Sequence, residues 1–364
     1  MKQLRYSTTV RRGVATALMA ALTLIGSYTL MAQEVSREYS REFRASKDVT
    51  VEIDNSYGNV NIEIWDEERV EIVVRVIADM ADRERSERVI EMIDIEFIES
   101  GSKVGARTIL ARRLASATRG SEGRFSIEYF VKLPGDIPID ITNRYGNIAL
   151  AEHSGQVTVN LRYGNLHATA LTRGNERPVN HISLLYGDAF IEEANWLSVY
   201  TRYSKSFVAG SVQALLADSR YSSFRIENIG SMVAETNYDD FRITRINNII
   251  ADGSYSVYRL GTITGRIGLN ARYGSFTAEN LQRGFERVDI EVSYCNIVLP
   301  VDRSAQYSMD VRVRYGSVRY CEECIEVESD SRDGRSRQIV GVAGDGSSQA
   351  EINIVSSYSS IRLR

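Results

Sequence analysis

Cysteine, histidine, tryptophan and proline are all scarce in this sequence, and positive charge is not in excess. Its 364 residues include 3 Cys, 3 His, 2 Trp and 4 Pro, against 20 Tyr, with a formal net charge of −4. A mildly acidic balance excludes nucleic acid as a partner, because neutralising phosphates requires clustered Lys and Arg. No second long apolar run follows the first thirty-odd residues, so nothing further along is expected to enter a membrane. GxSxG, HExxH and a phosphate-cradling loop are missing too, which removes the usual signatures of nucleophilic, zinc-dependent and phosphate chemistry. GVAGDGSS at 341–348 is Gly-rich but reads as part of a flexible insertion.

Lys2, Arg5, Arg11 and Arg12 precede an apolar run from Val14 to Met31, and Ala32 stands before Gln33. This is the pattern of a secretory signal peptide over residues 1–32, with an uncleaved anchor as the competing reading. No Cys follows the run, which argues against a lipid anchor. The segment carries four positive charges and no negative ones, so its removal takes the formal charge from −4 to −8. The expected location is outside the cytoplasm: periplasmic, outer-membrane-associated or at the cell surface. Export permits disulfides. The odd count of Cys295, Cys321 and Cys324 leaves one thiol over. CEEC at 321–324 has no second Cys pair and no nearby His, and reads as a local disulfide or simple thiols.

What the sequence does have is a repeat. Between residues 202 and 278 the phrases RYSKSF, RYSSF, NYDDF, SYSVY and RYGSF place tyrosines at 203, 221, 238, 255 and 273, in steps of 18, 17, 17 and 18. A short, steady period marks a repeat architecture. The full set is Tyr57, Tyr145, Tyr163, Tyr186, Tyr203, Tyr221, Tyr238, Tyr255, Tyr273, Tyr294, Tyr315 and Tyr358. Aligned on the tyrosine, the copies show apolar columns six and four residues before it, such as Leu215, Met232 and Ile249 or Val159, Ile182 and Val199. Further apolar columns stand three and five residues after it, among them Phe224, Phe241 and Phe276, or Ile191, Val208 and Ile226.

Alternation of this kind is the mark of strands. It enters the tyrosine on even offsets and leaves on odd ones, so each copy needs a bend. The following residue is Gly, Ser, Asp or Cys, and Gly tolerates the positive φ of a tight corner. Even offsets place the rings inward. Ile229, Ile246, Ile263 and Leu281 suggest a third, short side. The predicted fold is all-β: a single-stranded β-helix or solenoid of about 17–18 residues per turn, right-handed by analogy with parallel crossovers. Eleven or twelve turns at about 4.8 Å make a rod of roughly 55 Å.

The expected organisation is a signal peptide (1–32), a first turn (33–65), an α+β insertion (66–125) and the main array (126–364). Within the insertion, Asp79 to Ile93 reads as a helix and 111–124 as a mobile loop. Its role is to cap an exposed sheet end. The array carries a polar insertion at 328–349. A doubly wound α/β fold is excluded, because helices do not alternate with strands.

VTVEIDNSYGNVNIEIWDEERVEIVVRV, FSIEYFVKLPGDIPIDITNRYGNIAL, the RYGN/RYGS copies and AEINIVSSYSSIRL resemble the bacterial putative-adhesin β-solenoid family, an exported domain of unknown function. The resemblance covers most of residues 45–364. It implies a β-helix in the periplasm or at the surface and supplies no catalytic residues.

Three sets of residues are candidates for function. The tyrosines form a corner ladder that fixes register, or alternatively an aromatic strip for sugar rings. Arg144, Arg162, Arg202, Arg220, Arg272 and Arg314, each before a tyrosine, form an outward column. It is either a solvated face with ion pairs or a groove for acidic polysaccharide or lipid headgroups. Asp239 and Asp240 are adjacent carboxylates, but a turn role explains them more simply. His153, His167 and His181 fall at different repeat offsets. The expectation is a non-catalytic envelope adhesin or scaffold without cofactor or metal. The alternatives are a carbohydrate-binding or polysaccharide-acting β-helix, and an envelope-stress component with a protein partner.

Overall fold

The computed structural model describes residues 34–119 and 123–364. The expected signal peptide lies outside the described residues. Among these, no helix is long and apolar enough to cross a membrane. The protein is all-β. Its central copies explain how the apolar columns become structure. Phe207–Arg220, Ser223–Asn237 and Asp240–Ser254 are each one long strand, running from near one tyrosine almost to the next. Ser223–Asn237 buries Phe224, Ile226, Ile229, Met232, Ala234 and Thr236. The step of two residues becomes three on either side of Ile229, and there the strand bends. Ile229, Ile246, Ile263 and Leu281 are thus buried inside a bend. In the central copies no separate third strand carries them.

Neighbouring copies pair in parallel and in register. Phe224 stands against Phe241, Ile226 against Ile243, and Met232 against Ile249. Like residues therefore stack on like. The column of Phe207, Phe224, Phe241, Tyr258 and Phe276 is fully buried, with successive ring centroids 4.4–6.1 Å apart. Burying one such ring contributes about 1.5–3 kcal/mol. One column is shifted from expectation. The copy at Tyr203 holds an extra residue after the tyrosine, so Phe207 and Ala209 are buried and Val208 faces outward.

The corner itself corrects the sequence reading. All twelve tyrosines have positive φ, between 53° and 64°. No glycine that follows one of them does. The tyrosine is therefore the left-handed residue at which the pleat reverses. Its ring points outward rather than inward: eleven of the twelve tyrosines are 39–51% exposed, and Tyr315 is partly buried. The next residue is the one that turns in: Ser204, Ser222, Asp239, Ser256, Cys295 and Ser359 are all buried. Glycine serves there for space, since a Cβ on Gly146 would lie 1.9 Å from the Gly58 carbonyl oxygen.

The N-terminal end is closed by the insertion. Strands β1 (Val35–Arg44), β2 (Thr50–Ser56), β3 (Val60–Ile64) and β4 (Arg69–Met80) lead to helix α1 (Arg83–Ile90). Then come β5 (Ile93–Ser100), β6 (Lys103–Leu110), α2 (Leu114–Thr118) and β7 (Gly123–Leu133). The first copy, β2 and β3, lies between the array on one side and β6 and β7 on the other. Beyond it the pairing turns antiparallel, β5 on β6 and β1–β4–β7. The outermost strands are charged, and Arg41 of β1 bridges to Glu99 of β5 at 2.5 Å. Charged edges discourage further strand addition.

The helix is shorter than predicted, because alternation continues through Met80 and resumes at Ile93. Asp82 caps it, accepting from the Arg85 N–H at 2.8 Å. Within the expected loop 111–124, Leu114–Thr118 forms a helical turn held by buried Leu114.

The C-terminal end departs furthest from sequence order. Glu351–Ser357, the last copy, lies between Arg287–Ser293 and Tyr307–Arg314, parallel to both. The polar insertion is mostly a hairpin, Glu326–Asp333 with Ser336–Ala343, which extends the sheet antiparallel beyond Tyr307–Arg314.

A left-handed conformation costs a non-glycine residue about 1–2 kcal/mol. Stacking returns about 0.5–1.5 kcal/mol for each ring pair. Tyr221→Ala should therefore destabilise by about 1–3 kcal/mol, losing two stacks while keeping the strain. Tyr221→Gly should unfold at a higher urea concentration than Tyr221→Ala, because it relieves that strain. The reverse order would show that the corner is not held against its own preference.

Candidate functional site: the tyrosine corner and its flanking columns

Along the corner the rings follow the spatial order 57, 145, 163, 186, 203, 221, 238, 255, 273, 294, 358, 315. Successive centroids are 4.7–5.2 Å apart and the planes lie within 13°. Each interior ring thus has both faces covered by its neighbours. Phe125 covers the free side of Tyr57 at 5.3 Å. The guanidinium groups of Arg314 and Arg335 lie 5.2 and 5.3 Å from the Tyr315 ring. What the strip presents to solvent is ring edges and hydroxyl groups. Stacking on a sugar needs a free aromatic face, and this ladder offers none.

The arginine column divides in two. Arg144 pairs with Asp54 at 3.3 Å. Arg202 folds down, pairing with Asp218 at 3.0 Å, donating to the Thr201 and Asp218 carbonyls and lying 3.9 Å over the Tyr200 ring. Arg314 lies over Tyr315. Arg162, Arg220 and Arg272 have no acidic partner among the described residues. In register Arg144 neighbours Arg162, and Arg202 neighbours Arg220. Turning Arg202 toward Asp218 relieves the second of these repulsions.

The adjacent carboxylates point to opposite sides. Asp239 follows its tyrosine and faces inward, 3% exposed. It accepts from Ser219 Oγ at 2.7 Å, the Ser222 N–H at 2.7 Å and the Asn237 N–H at 2.8 Å. Burial raises its pKa above the ordinary carboxylate value, opposed by those hydrogen bonds. Asp240 faces outward and pairs with Arg242 and Arg259. Two carboxylates separated by the sheet cannot act on one substrate bond, which a glycosidase pair must do. No group of three metal-ligating side chains occurs among the described residues.

The histidines remain apart. His153 is buried with Nε2 2.8 Å from the Ile137 carbonyl and Nδ1 unpartnered. His167 stacks on Phe190, and His181 Nδ1 lies 3.3 Å from Ser198 Oγ. Cys321 and Cys324 are joined as a disulfide, and Cys295 is the buried free thiol below Tyr294. Burial raises its pKa, so it is a poor nucleophile. The outward turn of the rings escaped the sequence reading. Its signal was the column after the tyrosine, where only small residues and one Asp occur.

No family model matches this sequence, and no curated protein matches it. Among solved structures the chain is similar to one described as a putative cell adhesion protein from Clostridium sporogenes. Identity is 10%, covering 90% of this chain and 99% of that one, at a TM-score of 0.21. It is also similar to a putative adhesin from Parabacteroides merdae: 10% identity, 73% and 95% coverage, TM-score 0.36. A third is a putative adhesin from Parabacteroides distasonis: 8% identity, 73% and 92% coverage, TM-score 0.28. These descriptions match the family named from the sequence. At such TM-scores the likeness itself carries no argument.

Burial pushes the His153 pKa down from 6.5 to about 4. The folded state holds a neutral ring, so its contribution is full above pH 6.5 and is lost as pH falls toward 4. The loss should reach roughly 3 kcal/mol. Urea unfolding of the wild type and of His153→Gln at pH 7.5 and pH 4 checks this. The stability gap between the two should narrow by that amount, and a constant gap would refute it.

Proposed function

We propose that this chain is an exported β-solenoid that serves as a non-catalytic adhesion or scaffolding module of the bacterial envelope. The observation that carries the reading is a long run of outward columns at constant spacing, closed by antiparallel strands at both ends. Such a body offers its sides to partners and resists joining end to end. The composition of residues 1–32 supports export. The outward polar columns, in which Arg162, Arg220 and Arg272 form no ion pair among the described residues, support contact with an anionic surface rather than chemistry within a pocket. A carbohydrate ligand is the second reading, favoured by one cleft taken up below.

Fractionation of cells producing the full chain, with mass spectrometry of the N-terminus, tests the export reading. The expected product begins near Gln33 and sits in the envelope fraction; full-length protein in the cytoplasm would overturn it. Purified mature protein should be retained on envelope extract. The triple variant Arg162→Ser, Arg220→Ser, Arg272→Ser should weaken that retention about tenfold at low salt, since the interaction is electrostatic. Recovery of one stoichiometric protein would instead favour the envelope-stress reading.

A further inference from the structure

The ladder rings cover one another, so a sugar-binding surface must be sought where an aromatic face stays open. Trp196, partly buried, lines a cleft and is covered by no other described ring. Its neighbours in register are the smaller Ala214, Ser231 and Asn248. The core therefore requires nothing of its size at this position. Among the described residues it stacks on no other ring.

Facing it is the loop 172–180, the extra length behind the 23-residue step between Tyr163 and Tyr186. The loop is held in place by its own contacts. Arg173 Nε donates to the Pro178 carbonyl at 3.1 Å, and Asn195 Nδ2 donates to the Thr172 carbonyl at 2.6 Å. Loop and sheet together enclose a cleft of about 770 Å³. Trp196, Pro178 and Leu216 give it apolar lining, and Arg177, His181 and Ser198 give it polar lining. That size is in the range of small-ligand sites, which combine an apolar floor with a few polar groups. No carboxylate lines the cleft, and Arg177 has no ion-pair partner among the described residues.

We propose that this cleft binds one acidic pyranose of a glycan, the sugar's C–H face against Trp196 and its carboxylate paired with Arg177. The electron-rich indole face suits the positive edge of C–H bonds. A guanidinium pairs a carboxylate through two parallel hydrogen bonds. Arg177, which forms no ion pair among the described residues, favours acidic over neutral sugars. The inference rests on the second, carbohydrate reading and gives it a ligand class.

Calorimetric titration of the mature chain with tri-galacturonate, a hyaluronan hexasaccharide, sialyllactose and neutral cellohexaose tests it. At least one acidic probe should bind, with affinity reduced about tenfold or more by Trp196→Ala and by Arg177→Gln, the scale of a hot-spot residue. Trp196→Phe should retain part of the affinity, and Arg303→Ser, an exposed arginine that lines neither the cleft nor the tyrosine flank, should change nothing. Binding should weaken with salt, and cellohexaose should bind at least tenfold more weakly. The proposal is overturned if no acidic probe binds at millimolar concentration, if binding survives Trp196→Ala, or if cellohexaose binds equally well. Trp196→Ala should still reach the envelope, so failure of the cleft and failure of the export reading are distinguishable.

Discussion

The structure depends on a backbone conformation that a tyrosine ordinarily avoids. At each corner the chain must reverse its pleat, and the residue that does so is a bulky aromatic with positive φ. An isolated tyrosine would have little reason to stay there. Twelve in register do, because each ring gains a stacked neighbour only if the next corner makes the same turn. Local strain and long-range order are thereby coupled. The residue following the tyrosine completes the arrangement: it is small and turned in, and at Gly146 even a Cβ would meet the backbone of the adjacent copy.

That coupling explains which features were readable in advance. The period, the apolar columns and the strand character were legible because each copy contributes the same kind of residue to the same column. The direction of the tyrosine ring was not. Alternation shows that parity switches near the corner, but not whether Tyr221 or Ser222 takes the left-handed turn. The buried, small column of Ser204, Ser222, Ser256 and Cys295 held that answer. Val208 was misplaced because one inserted residue shifts a strand's parity without disturbing the period. The position of the last copy was illegible for a related reason. Copies built to pair with any neighbour carry no mark of which neighbour they have.

The candidate site was legible in part. The arginine column faces outward, but its members differ, since Asp218 and Tyr200 draw Arg202 down while Arg220 stays free. Asp239 and Asp240 are adjacent in sequence and separated by the sheet. Trp196 and the loop opposite it come from different copies. Only the extra residues of the 23-residue step hinted that something projected there.

The insertion of the last strand pair between two earlier copies has a consequence for how such a chain can lengthen. A repeat unit following the last copy could not pair with that copy, whose strands are already seated between two partners. Units added at the start would likewise meet the antiparallel insertion. Duplications are accommodated in the interior, between the copies of Tyr145 and Tyr273, where every strand has a parallel neighbour on each side. An inserted copy there would find the same parallel partners on both sides that its neighbours have.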